Sequence, residues 1–298
     1  MTRQKPPAAL GALRWRALFV ACLAFVIVGV GQAAAAPACP IDQGFHYLGQ
    51  TVLQRDAGEP WAFATDEKVV DADGAPNAYH PADVGADCGH EGVGLDCPVS
   101  AGYPDAPWWR SVLATDPAAP DLPYVQQTGP YSGFFVSMTS LRDDNGASAV
   151  DPMSYVDASR VPYLVTPAPI LAGKGMGSLG DLGYALDLAT GRATPFVVAD
   201  EGPLEPLGEA SIAFWEALGG RAPSARDGAG LTAGPFVAVV FPGSAATADL
   251  GWPIDAGRLQ AAADDWLSRF GGLEALRDCA SVQLADEEPL PSAPSSAP

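Results

Sequence analysis

The sequence is poor in basic residues: 16 Lys+Arg and 3 His stand against 35 Asp+Glu, for a net charge of −19. Arg3, Lys5, Arg14 and Arg16 lie in an N-terminal segment that holds no acidic residue. The rest of the chain therefore has 12 basic and 35 acidic residues, a net charge of −23. Such a surface repels phosphate groups and attracts polycations, so we expect no nucleic-acid partner. Solubility is the alternative reason for the charge.

The N-terminal apolar stretch, from about Ala17 to Val30, is too short for a membrane span, and no stop-transfer pattern follows it. Basic residues precede it, and the small residues Ala33 to Ala36 follow. This pattern predicts a signal peptide over residues 1–36, a secreted protein and no membrane contact after cleavage. A retained membrane anchor is the alternative.

Cysteine is scarce, and one of the five cysteines lies in the predicted signal peptide. The other four, Cys39, Cys88, Cys97 and Cys279, predict two disulfides, which can pair in three ways. The simplest pairing joins Cys88 to Cys97 and Cys39 to Cys279. A metal site is disfavoured because the two close cysteines lack a two-residue spacing and His90 is the only nearby imidazole.

No Ser-His-Asp, Cys-His, P-loop or dinucleotide motif occurs in a suitable context, and no internal repeat is visible. We therefore expect no cofactor and no metal. Residues 37–280 are long enough for one β-rich domain, and we expect a monomer. Residues 281–298, rich in Pro, Ser and Ala, predict a disordered acidic tail.

The 33 glycines and 29 prolines divide the chain into short elements. Apolar or alternating segments predict strands at Phe134–Ser137, Tyr163–Thr166, Gly183–Leu188, Pro195–Ala199 and Phe236–Phe241. Helices are predicted from Glu209 to Leu218 and over about 257–270. The expected fold is mainly β: a single-domain barrel or bent sheet with a few peripheral helices.

Two acidic residues flank a Gly/Pro-rich loop. Asp200 ends an apolar strand, and Glu209 opens the predicted helix. Hydrolysis of a glycosidic bond requires one carboxylic acid to protonate the leaving oxygen and one carboxylate to direct water or attack the sugar. The alternative is that both acids accept backbone N–H groups at a strand end and a helix N-terminus.

The pattern of Asp200, one residue, Gly202-Pro203, a short spacer and then Gly208 to Ser211 resembles the signature block of the family 75 glycoside hydrolases, the chitosanases. Other blocks follow in the same order as in that family: Asp71–Pro81, Trp108–Trp109, Phe135–Leu141, Tyr155–Asp157 and Val161–Val165. The segment 88–105 departs from the family pattern because it is longer and richer in cysteine.

The resemblance implies a secreted, endo-acting chitosanase that hydrolyses β-1,4-glucosamine linkages with inversion, with Asp200 as general base and Glu209 as general acid. A helix N-terminus would lower the pKa of Glu209, which suits a base better, so the two roles stay open. Glu201 and Glu205 are interpreted as solvated charges. The alternatives are a non-catalytic polysaccharide-binding protein and a hydrolase of a related amino-sugar polymer.

Five further residues are candidates for holding substrate. Asp71 and Asp73 form an Asp-x-Asp-Gly turn, which either accepts backbone bonds or pairs with protonated amines; the remaining ligands of a calcium loop are missing. Tyr79 and Trp109 either stack on sugar rings or pack in the core. His80 is either a loop residue or a cleft residue.

Overall fold

The computed structural model describes residues 38–86, 89 and 91–286, all within one compact unit, Pro37–Pro298. The predicted signal peptide, Cys88 and the tail from residue 287 lie outside the described residues. The fold is mainly β, as predicted. Among the described residues, no helix is long and apolar enough to cross a bilayer.

Within this part of the chain, eleven strands form a nine-stranded and a two-stranded sheet. The strands are β1 (Gly44–Tyr47), β2 (Gln50–Gln54), β3 (Trp61–Thr65), β4 (Val69–Asp71), β5 (Thr115–Asp116), β6 (Ala119–Pro123), β7 (Tyr163–Pro167), β8 (Leu182–Asp187), β9 (Ala193–Gly202), β10 (Glu209–Ser211) and β11 (Phe236–Phe241). The large sheet has the order β1, β2, β3, β11, β8, β9, β7, β10, β4. It is bent and does not close into a barrel over the described residues.

Four α-helices accompany the sheet in the described residues: α1 (Ala168–Leu171), α2 (Ile212–Ala217), α3 (Ala256–Phe270) and α4 (Gly272–Asp286). Helix α3 packs on β8 and β9, and α4 packs on β2, β3 and β11. Because α4 continues to Asp286, the predicted start of the tail at residue 281 is wrong by at least six residues.

Both faces of the central strand β11 are covered, which explains its uninterrupted apolar run. Phe241 stacks on Trp266 of α3 with ring centroids 5.7 Å apart. Phe236 points to the opposite face of β11 and packs on Trp215 of α2, with ring centroids 5.1 Å apart. The sheet therefore lies between α3 and α4 on one face and α2 on the other.

Four of the five predicted strands are confirmed as β7, β8, β9 and β11. The prediction at Phe134–Ser137 is wrong because that segment makes only isolated bridges, through Phe135 and Ser137. The predicted start of a helix at Glu209 is also wrong. Its first three residues form β10, which pairs with β4 and β7, and the helix begins only at Ile212.

The predicted bond between Cys39 and Cys279 is confirmed, with 4.6 Å between the two Cα atoms and a sequence separation of 240. It ties the segment before β1 to α4. The second predicted pairing stays a prediction, because Cys88 lies outside the described residues.

We predict that replacing both Cys39 and Cys279 with serine lowers the free energy of unfolding by about 2–5 kcal/mol, because the bond closes a long loop in the unfolded chain. Denaturant unfolding followed by tryptophan fluorescence measures the change. The exposed Ser281→Ala change in α4 serves as the control. Equal unfolding midpoints for the double variant and the unmodified protein would contradict the prediction.

Candidate active site

A β-bulge in β9 sets the direction of Asp200. Strands β7 and β9 are parallel; Leu164 lies opposite Val198 and Val165 opposite Asp200, so Ala199 is an extra residue between the two pairs. Side chains alternate between the faces of a regular strand, which would put Asp200 on the face of Val198, toward α2. The bulge instead puts Asp200 on the face of Val165, away from α2.

Glu209 shares this face with Asp200. Strands β7 and β10 are antiparallel with Ala210 opposite Leu164, so Glu209 lies opposite Val165. The two acids therefore occupy one cross-strand row, on either side of β7. Neighbouring strands lie about 4.8 Å apart, so the backbones of the two acids are about 10 Å apart.

Gly202, the last residue of β9, and Gly208, in the loop before β10, show where Glu209 lies. A Cβ atom at Gly202 would lie 3.6 Å from Oε2 of Glu209, so this carboxyl group reaches across β7 toward β9. Gly208 has a φ of 142°, and a Cβ atom there would lie 2.2 Å from the carbonyl oxygen of Glu67. Only glycine fits at residue 208, which fixes where β10 begins.

Asp71 and Asp73 lie beside this row, at the end of β4 and in the turn that follows. Oδ1 of Asp71 accepts the N–H of Asp73 at 2.8 Å, which confirms the backbone-bonding interpretation for Asp71. The hydroxyl of Tyr163 donates to Oδ2 of Asp71 at 2.8 Å. One carboxyl oxygen each of Asp71, Asp73 and Asp200 lie within 4.8 Å of one another.

The carboxyl group of Asp73 is held by other side chains and not by backbone groups of the turn. Its Oδ1 accepts the hydroxyls of Tyr79 at 2.8 Å and Ser137 at 3.1 Å. Tyr79 is only 3% exposed, so it supports the acids and does not present a ring face to solvent. The next residue, Gly74, has a φ of 74°, and a Cβ atom there would lie 2.1 Å from the carbonyl oxygen of Val156.

The hydrogen bonds of Asp200 all go to one oxygen. Its Oδ1 accepts the N–H and the hydroxyl of Ser140, at 3.0 and 2.6 Å, and the N–H of Glu201 at 2.8 Å. Within the described residues no hydrogen bond reaches Oδ2. This second oxygen is therefore the one that can accept a proton from water.

Burial raises the pKa values of all four acids, and neighbouring negative charges raise those of Asp73, Asp200 and Glu209 further. Burial and the charge of Asp71 raise the pKa of Asp200 to about 7, although its three hydrogen bonds oppose the shift. Burial, and then the charges of Asp71 and Asp200, raise the pKa of Glu209 well above its ordinary value. Because Glu209 lies on β10, no helix N-terminus lowers its pKa. No ion pair seen in the described ranges includes any of the four.

A fifth acid, Asp96, was missed by the sequence reasoning. Its Oδ1 accepts the N–H of Cys97 at 2.7 Å, burial raises its pKa to about 6, and its charge further raises the pKa of Glu209. A buried ion pair of 2.5 Å between Arg226 and Asp83 anchors the loop that carries Asp96. Arg226 is distant in sequence, so no local pattern indicates this contact.

The other two predicted substrate-binding residues, Trp109 and His80, contact neighbouring loop residues. Trp109 is only 3% exposed and packs on Tyr103 with ring centroids 5.5 Å apart, which favours the core interpretation over sugar stacking. Nδ1 of His80 accepts the N–H of Ala82 at 3.1 Å, and its ring packs on Phe134 at 4.8 Å. Its part in substrate binding stays a prediction.

Among the described residues, Asp71, Asp73 and Asp200 are the ones that could hold a cation, since one oxygen of each lies within 4.8 Å of the other two. Calcium takes six to eight oxygen ligands, and serine and tyrosine hydroxyls already donate to these carboxyl groups. These hydroxyl groups occupy lone pairs of the carboxyl groups that a cation would otherwise use. The expected absence of a metal stays a prediction.

Comparison with models of protein families and with curated proteins finds no match for this chain. The functional assignment therefore depends on the chemistry of the site: two acids in one cross-strand row, two more beside them, and raised pKa values throughout.

We predict that Glu209→Gln raises the unfolding temperature at pH 8 by about 2–4 °C, equivalent to about 1 kcal/mol in a protein of this size. Folding raises the pKa of Glu209 above 4.5, so its contribution to stability is complete below pH 4.5 and is lost as the pH rises through the folded pKa. The two proteins should therefore unfold at nearly the same temperature at pH 4.

Thermal unfolding of both proteins between pH 4 and pH 8 measures the effect. Glu201→Gln makes the same chemical change at an exposed position and should alter the unfolding temperature little at either pH. A Glu209→Gln variant that is less stable than the unmodified protein at pH 8 would contradict the assignment of a destabilising buried charge.

Proposed function

We propose that the protein is a secreted, endo-acting glycoside hydrolase that cuts β-1,4-linked glucosamine polymers with Asp200 and Glu209. The observation that carries the proposal is the position of these two acids on one sheet face, on either side of β7. The ordered sequence blocks that resemble the chitosanases support the same pair. The disulfide between Cys39 and Cys279 is compatible with secretion.

Glu209 suits the general acid. A general acid must stay protonated at the working pH until the leaving oxygen of the sugar takes its proton. Burial and the neighbouring negative charges favour this protonated form by raising the pKa of Glu209. The earlier physical objection assumed a helix N-terminus, and the position of Glu209 on β10 removes it.

Asp200 suits the general base. Ser140 and the backbone of Glu201 hold its Oδ1, and this leaves Oδ2 to accept a proton from the attacking water. These hydrogen bonds favour its ionised form relative to Glu209. A cationic sugar bound nearby would lower the pKa of Asp200 further and so increase the fraction of ionised base.

The excess of carboxyl groups suits a cationic substrate. Asp71, Asp73 and Asp96 approach the catalytic pair, and no basic side chain of the described part forms an ion pair with Asp71, Asp73 or the catalytic pair. Chitosan carries amines that are partly protonated near neutral pH. Its ammonium groups would supply the missing positive charge.

The separation of the two carboxyl groups distinguishes inversion from retention. Inverting enzymes hold their two carboxyl groups about 6.5–9.5 Å apart to admit a water molecule, whereas retaining enzymes hold them about 5–5.5 Å apart. The resemblance to the chitosanases favours the inverting arrangement for Asp200 and Glu209, which lie on either side of β7. Water would then attack from the side of Asp200 while Glu209 protonates the leaving oxygen.

We predict that Asp200→Asn and Glu209→Gln each lower the release of reducing ends from chitosan by about 10²–10⁴-fold, because each removes one proton-transfer group. Glu201→Gln, which neutralises an exposed acid next to Asp200, should keep most of the activity. Chitosan binding that persists without any release of reducing ends by the unmodified protein would favour the non-catalytic binding alternative.

We predict that the first product of cleavage carries the α-anomeric configuration, since inversion at a β-linkage gives an α reducing end. Proton NMR of a glucosamine hexamer in the first minutes of reaction, before mutarotation equalises the anomers, measures this. Initial formation of the β-anomer would indicate a retaining reaction and would contradict the assigned role of Asp200.

A further inference from the structure

A second concave region lies apart from the catalytic pair. It is a groove of about 650 Å³, open to solvent, between the loop at residues 124–131 and the loop at residues 148–160, and Pro76 contributes to its wall. Cavities of this size commonly bind small ligands or polymer segments. Asp200 and Glu209 do not line the groove.

The segment after Asp73 links the acidic cluster to the groove wall. Pro76 follows Asp73 by three residues, and its carbonyl oxygen accepts the side-chain amide of Gln126, which also lines the groove, at 2.6 Å. Gly74 packs closely against the carbonyl oxygen of Val156, the residue before Asp157 in the groove wall. The groove and the acidic cluster are therefore built on adjoining segments of the chain.

The groove offers an aromatic ring for stacking. Tyr131 is 37% exposed, and its ring packs edge-on against Phe134 with centroids 6.2 Å apart. Phe134 in turn packs against His80 at 4.8 Å. The contact with Phe134 fixes the orientation of the Tyr131 ring, and the ring is still accessible to solvent. An oriented, accessible ring can stack on the apolar face of a sugar.

The groove also carries negative charge. Two acids, Asp151 and Asp157, and one basic residue, Arg160, line it; Arg160 lies 4.0 Å from Asp157 and is largely exposed. The contact between Arg160 and Asp157 is too long and too exposed to neutralise the carboxylate firmly. Exposed aromatic area next to carboxylates matches a sugar that bears an ammonium group.

We propose that this groove is a distal subsite that binds glucosamine units of the same polymer, away from the linkage that is cut. The inference rests on the proposed function, since a polymer must first occupy the acidic cluster. The subsite would favour long chains over short ones, because only a long chain can occupy the acids and the groove together.

The test is calorimetric binding of a glucosamine hexamer and a dimer to proteins that carry Asp200→Asn, so that the ligand is not consumed. Adding Tyr131→Ala should weaken hexamer binding about 3- to 10-fold, as expected for the loss of one aromatic contact. Phe45→Ala removes an exposed aromatic ring from β1, at the opposite edge of the sheet, and should leave hexamer binding unchanged.

A second variant separates charge from stacking. Asp157→Asn should weaken binding of the glucosamine hexamer more than binding of its fully N-acetylated counterpart, which lacks the ammonium groups. Thermal unfolding of each variant shows whether it has kept its fold.

The outcomes distinguish the two proposals. If the unmodified protein cuts chitosan but Tyr131→Ala and Asp157→Asn bind the hexamer as tightly as their parent, the subsite is wrong and the hydrolase stands. If the unmodified protein releases no reducing ends yet the hexamer binds in a manner that depends on Tyr131, the hydrolase is wrong and the groove is a binding site in its own right. If neither cleavage nor hexamer binding occurs, both proposals are overturned.

Discussion

The crowding of carboxyl groups on one face of a bent sheet, without a basic partner in the described part of the chain, is the constraint on which the site depends. Such groups cannot all ionise when burial removes the water that would screen them. Hydroxyl groups nevertheless hold them in place: Tyr163 donates to Asp71, Tyr79 to Asp73 and Ser140 to Asp200. These carboxyl groups are therefore held by neutral hydroxyl donors and not by basic side chains of the described residues.

Strand β7 organises this arrangement because it separates the two acids assigned to catalysis. Its position between β9 and β10 sets their spacing, and Val165 lies between them in the same row. With β7 between their strands, Asp200 and Glu209 are still close enough for the charge of Asp200 to raise the pKa of Glu209. Both features follow from strand order rather than from any single side chain.

The sequence predicted the mainly β class and four strands with apolar runs, since both depend on local pattern. It could not predict the face on which Asp200 lies, because one extra residue, Ala199, reverses the alternation, and pairing with β7 places that residue. The strand at Glu209 was missed for the same reason: three residues form β10 only because β4 and β7 lie beside them. Asp96 depends on a distant arginine, so local reasoning could not find it.

The disulfide between Cys39 and Cys279 brings together two points near the ends of the described chain, with their Cα atoms 4.6 Å apart. Helix α4, which carries Cys279, packs on β2 and β3, whereas Asp71 ends β4 at the opposite edge of the sheet. A support or a fused module attached beyond either cysteine would therefore leave from the same place. The protein could be immobilised beside either cysteine with the sheet edge that carries Asp71 left free for dissolved polymer.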